Sequence, residues 1–131
     1  MIVPASEPSV QAETILLVED EVLIRFALAD YLRSCGYQVI EAANAEEALM
    51  VLHTNQRIDL VFSDVRIPGS MDGFGLARWI RANRRHIKVV LSSGATRSAQ
   101  LAGELCELGP VEAKPYHPQR LLERIRMTLS K

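Results

Sequence analysis

The sequence predicts an α/β fold, a doubly wound five-stranded parallel sheet with helices on both faces. Three observations predict it. Short apolar runs alternate with longer helical stretches five times along the chain. The runs are largely continuous in apolar character, as suits central strands covered on both faces. The intervening stretches are long enough for the helical crossover that each parallel connection needs. With 131 residues, one domain with a single core is the working assumption.

The strand candidates are ILLV (15–18), YQVIEA (37–42), LVFS (60–63), IKVVLS (87–92) and the weaker PVEA (110–113). In the first helical stretch, Ile24, Ala27, Leu28, Tyr31, Leu32 and Cys35 recur at helical spacing, and Gly36 stops it. In the second, Ala45, Ala48, Leu49 and Leu52 recur in the same way; Asn44 is the expected N-cap, with Glu47 three residues on at capping-box spacing. A third helix is expected over about 73–83, with Leu76, Ala77 and Ile80 inward and Trp79 at its edge. A fourth is expected over about 97–108, where Gly103 costs about 1 kcal/mol of helix propensity relative to alanine. The last, over about 118–129, carries Leu121, Leu122, Ile125 and Leu129 on one face. Residues 1–13 mix Pro, Ser, Glu and Ala without periodicity and read as a flexible tail ahead of the domain at 14–131.

Apolar residues are 48% and charged residues 24% of the chain, which favours neither disorder nor a membrane span. A net charge of -1 gives no broad electrostatic footprint for nucleic acid. The local cluster of Arg78, Arg81, Arg84, Arg85 and Lys88 reads as the solvated, dipole-complementing end of a helix. Cys35 and Cys106 match no metal or redox spacing and suit a reduced compartment. The N-terminus lacks the basic and then apolar pattern of a signal peptide, so a cytoplasmic location is expected, with no membrane or direct nucleic-acid partner.

Ligands of such sheets bind outside the carboxyl ends of the strands. Those ends carry Glu19 and Asp20, then Asp64, Ser93 and Lys114. Taken singly, each has an ordinary reading: acids favour helix N-termini, serine favours turns, and a lone lysine is commonly a surface cation. Together they describe a site. Three gathered acids must be neutralised by raised pKa values or by a bound cation, and hard oxygen ligands suit Mg²⁺. A carboxylate such as Asp64 can then act as a nucleophile toward phosphorus, with Lys114, Ser93 and backbone N–H groups available to the phosphoryl oxygens.

LLVEDE, SDVRIPGSMDG, VVLSSG and AKPY together resemble the receiver domain of two-component response regulators over essentially all of 14–131. That resemblance implies a flavodoxin-like sheet of strand order 2-1-3-4-5. It implies that Asp64 is the phosphoacceptor, that Asp20 is a direct Mg²⁺ ligand, that Glu19 holds the ion mainly through water, and that the backbone carbonyl of Arg66 is a further ligand. Ser93 stands for the switch hydroxyl, Lys114 for the phosphate-binding lysine, and Pro115 for a proline usually preceded by a cis bond. The implied partners are a histidine kinase or histidine phosphotransfer protein and an unidentified downstream protein.

Three positions depart from the common pattern of that family: Glu19 replaces an aspartate, Ser70 is an extra residue in the loop, and Val111 stands where many members have a Tyr or Phe. Arg66 reads either as a gate for water or a partner, or as a solvent-facing side chain. With no sequence after Lys131 for a DNA-binding output, the expectation is a stand-alone domain that acts on another protein or serves as a relay or phosphate sink. An aspartyl-phosphate hydrolase would need a second acid for its leaving group. A phosphorylation-independent binding module would gain nothing from clustered like charges.

Overall fold

A computed structural model describes residues 12–94, 111–114 and 117–131, the side chains of 93, 94 and 111–114 excepted. Most of the expected tail, the expected helix over 97–108, Pro115 and Cys106 lie outside the described residues. The elements in chain order are β1 (Thr14–Val18), α1 (Val22–Ser34), β2 (Gln38–Ala42), α2 (Ala45–Leu52), β3 (Leu60–Asp64), α3 (Gly73–Asn83), β4 (Lys88–Gly94), β5 (Val111–Lys114) and α4 (Pro118–Leu129).

The strands pair in parallel in the order β2-β1-β3-β4-β5, so the α/β architecture is the one the alternation predicts. Its layers follow from side-chain alternation along each strand. Leu16, Val18, Val61, Val89 and Leu91 join the apolar faces of α2 and α3. Ile15, Leu17, Leu60, Phe62 and Val90 join those of α1 and α4. Because β1 and β3 are buried at every position, they read as continuous apolar runs. On the sheet edge, β2 is only partly covered: Val39 and Ala42 are buried, Ile40 and Glu41 half-buried and Gln38 exposed. Full burial of one such Leu or Ile contributes about 1.5–3 kcal/mol, so the two clusters are the main source of cohesion.

The helix starts are set by local chemistry. Asn44 Oδ1 accepts from Glu47 N–H at 2.8 Å, as the capping spacing predicts. Glu47 Oε1 reaches back one residue further than expected, to Ala43 N–H at 2.7 Å. Asp72 caps α3 through Gly75 N–H at 2.9 Å, a cap the sequence reading did not single out. In α1 the buried residues are Leu28, Ala29 and Leu32, while Ile24 and Ala27 are exposed, although both fall on the predicted stripe. In α4 Thr128 is buried in company with Leu121, Leu122 and Ile125, and Leu129 only partly so. Its hydroxyl donates to Arg124 O at 2.7 Å, which satisfies the buried polar group.

The basic cluster near the end of α3 leans on aromatic faces. Arg84 lies 5.3 Å from the Trp79 ring centroid and Arg78 lies 5.9 Å from that of Phe74. Trp79 is partly buried and meets the His53 ring at 5.2 Å, the edge position expected of it. No helix among the described residues is long and apolar enough to cross a membrane.

Candidate functional site

Strand register brings the predicted residues to one rim of the sheet. Val18 pairs with Ser63, so the next residues along the two strands, Glu19 and Asp64, stand side by side. Glu19 N–H continues the ladder on the other side by donating to Ala42 O at 3.0 Å. Asp64 is aligned with Ser92 of β4, and one and two steps further on Ser93 pairs with Ala113 and Gly94 with Lys114. Ser93 and Lys114 therefore lie within the last two residues of their strands rather than in turns; their side chains are outside those described.

Glu19 is 4% and Asp64 8% exposed, whereas Asp20 is exposed at the start of the loop into α1. Each buried carboxylate takes a backbone N–H from the loop that follows it. Glu21 N–H donates to Glu19 Oε2 at 3.0 Å, and Arg66 N–H donates to Asp64 Oδ1 at 3.0 Å. Among the described residues no group of three or more His, Cys, Asp or Glu side chains is gathered in this structure, Asp20 lying at the surface and Glu19 and Asp64 buried.

In donor chemistry the residues do fit Mg²⁺, since carboxylates and a loop carbonyl at an open rim are the hard oxygen donors that ion takes, with water completing its shell. Arg66 is exposed, and its side chain faces solvent. The backbone after Asp64 is set by packing beneath it. Val65 and Ile67 are buried, Val65 N–H donates to Ser92 O at 2.9 Å, and Gly73 N–H donates to Val65 O at 2.8 Å. A side chain at Gly73 would run into the Asp64 carbonyl and stand 2.7 Å from Val65 Cα. The first residue of α3 therefore has to be glycine for the helix to sit directly under the Asp64–Val65 backbone.

The rest of that loop is fastened to α2. Gly69 has φ +111, a conformation suited to glycine. Ser70, the extra residue, donates to Glu46 Oε2 through its N–H at 3.2 Å and its hydroxyl at 2.8 Å. These bonds hold the Glu46 carboxyl below its ordinary range. On the other flank, Arg25 donates to Glu19 O at 2.9 Å and to Glu41 Oε1 at 3.2 Å, joining α1, the acidic loop and β2. Sequence reading missed Arg25, Glu46 and Gly73, because each acts on a segment distant in the chain.

The response regulator receiver domain model matches residues 15–126. The chain belongs to that family. The receiver domain is 34% identical over 117 residues to the transcriptional regulatory protein AruR of Pseudomonas aeruginosa, a match covering 86% of this chain and 47% of that protein. It is 33% identical to sporulation initiation phosphotransferase F of Bacillus subtilis, covering 89% of this chain and 94% of that one. The chain thus spans about half the length of AruR and nearly all of the phosphotransferase. Among solved structures, a response regulator receiver protein from Pseudomonas putida superposes with a TM-score of 0.80 at 33% identity, covering 90% of this chain and 98% of that one. A CheY-like receiver domain protein from Methanospirillum hungatei gives a TM-score of 0.82 at 28% identity, covering 92% and 95%. The flavodoxin-like receiver fold is therefore common to this chain and to those proteins.

Proposed function

We propose that this receiver domain is a phosphoacceptor of two-component signal transduction. Asp64 takes a phosphoryl group from a histidine kinase or histidine phosphotransfer protein in a Mg²⁺-dependent reaction in the cytoplasm. The observation that carries the reading is the placement of Asp64. Its nearly buried carboxylate closes a central strand, is held through Oδ1 by Arg66 N–H, and lies in register between Glu19 and the serine pair of β4.

In the transfer an Asp64 carboxylate oxygen forms the new P–O bond while the P–N bond of the donor breaks. The electron pair of that bond returns to the donor imidazole, which takes up a proton. Phosphoryl transfer asks mainly for positioning and for neutralisation of the phosphoryl oxygens. Ser93 and Lys114, near the carboxyl ends of β4 and β5, are assigned to those oxygens as hydrogen-bond donor and cation. Glu19, Asp20, Asp64 and the Arg66 carbonyl would hold Mg²⁺, which supplies further neutralisation of charge when bound. The domain catalyses only its own phosphorylation and dephosphorylation, and phosphorylation changes its preference for a downstream protein. A relay role is the second reading, supported by the likeness to the sporulation phosphotransferase over nearly its whole length.

Incubation with acetyl phosphate and Mg²⁺ is expected to add one phosphoryl group to the wild type, read as intact mass, and none to Asp64→Asn. Equal labelling of the variant would refute the assignment of Asp64.

A further inference from the structure

Ser92 Oγ stands out among the described residues as a buried side-chain oxygen or nitrogen with no hydrogen-bond partner. Ser92 is 1% exposed and lies in Cα register with Asp64. Alternation places the two side chains on one sheet face. Val90, two residues before Ser92, and Phe62, two before Asp64, both belong to the cluster under α1 and α4. Neighbouring strands are about 4.8 Å apart, so the hydroxyl sits beside the base of the Asp64 side chain. A buried hydroxyl with no partner is unfavourable, and an apolar residue of the same size would avoid the cost. The serine makes sense if another state of the site supplies its partner.

In the present state Asp64 Oδ1 is engaged by Arg66 N–H. On phosphorylation one carboxyl oxygen becomes the bridging oxygen of the acyl phosphate and the other a carbonyl oxygen that can accept a hydrogen bond. We propose that Ser92 is a positioning residue for the phosphorylated state: its hydroxyl then donates to the Asp64 carboxyl group, which favours that state and lengthens its life. The role is separate from that assigned to Ser93, and it rests on the reading of Asp64 as the acceptor.

The test titrates the 131-residue chain with beryllofluoride in the presence of Mg²⁺, for the wild type, Ser92→Ala, Ser92→Thr and Asp64→Asn. Thermal unfolding of each free protein is followed in parallel, together with the decay of the acetyl-phosphate-labelled form. Ser92→Ala is expected to bind beryllofluoride on the order of tenfold more weakly, as for one hydrogen bond made only in the bound state. It should also lose its label faster, with an unfolding temperature equal to or above that of the wild type. Ser92→Thr, which keeps a hydroxyl, should restore affinity and lifetime. Wild-type affinity and lifetime in Ser92→Ala would overturn the proposal, as would a weakening matched by destabilisation of the free protein. Failure of the wild type to bind, or undiminished binding by Asp64→Asn, would overturn the assignment of Asp64 itself, a result distinguishable from the first.

Discussion

Two aspartates bracket the third strand and hold opposite kinds of place. Asp59, just before β3, is tied across the fold. Its Oδ2 accepts from Thr14 N–H at 2.8 Å, Arg57 Nε lies 3.1 Å from its carboxylate, and its backbone bonds to both Thr14 and Lys88. Asp64, at the other end of the same strand, takes a hydrogen bond from Arg66 N–H two residues on. Asp59 fastens the amino ends of three strands through its carboxylate and its backbone together. Asp64 instead closes its strand at the rim, level with Ser92. The amino end of the sheet is thus finished as structure, while the carboxyl end keeps carboxylates and a hydroxyl for chemistry.

This contrast can be broken in several places. The largest effect is expected at Asp64 itself: Asp64→Asn should abolish phosphorylation yet shift the urea midpoint by little, because the amide oxygen can still accept from Arg66 N–H. A large loss of stability would show that Asp64 is as structural as Asp59. Asp59→Ala should do the reverse, costing about 1.5–3 kcal/mol by leaving the Thr14 N–H without its charged acceptor, with the folded protein still labelled by acetyl phosphate. Asp59→Asn, which keeps an acceptor, should cost less.

Gly73→Ala would test how closely the two functions meet, since its methyl group collides with the Asp64–Val65 backbone. A loss of about 1–3 kcal/mol is expected from overpacking, with slowed labelling because the same backbone carries the acceptor. Asn44→Ala, remote from that contact, should cost about 1 kcal/mol through loss of its cap and leave the labelling rate unchanged.

The smallest effect concerns pH. Glu46 has a folded pKa below its ordinary value of 4.5 because Ser70 hydrogen-bonds to it. A depressed carboxyl pKa means that the unfolded chain binds more protons in this window. The stabilisation is present above pH 4.5 and is lost as pH falls through the lower folded value. Glu46 is exposed, so the contribution is small. Ser70→Ala should flatten that part of the profile of denaturation midpoint against pH, and an unchanged profile would show that the Ser70–Glu46 bonds add nothing to stability.

The periodicity of strands and helices, the Asn44 cap and the rim positions of Glu19, Asp64, Ser93 and Lys114 were legible in the sequence, because they follow from local spacing and from the rule that parallel strands end on one side. The cap at Asp72 was legible too, by the same signal of an acid before a helix, but the motif around it drew the reading toward the loop. Ile24 and Ala27 were misleading for a physical reason: helical spacing defines a stripe, and only the extent of the neighbouring sheet decides how far along the helix that stripe is covered.

By itself the amino-acid sequence determined the order of elements, the layers they form and the set of residues at the carboxyl rim of the sheet, since hydrophobic period and turn chemistry are properties of short segments. Tertiary structure alone decided that Asp64 lies level with Glu19 and Ser92, that Glu46 fastens the loop carrying Ser70, and that α3 must begin with a residue lacking a side chain. Those facts depend on register and close approach between segments far apart in the chain, and no local pattern encodes a distance across strands.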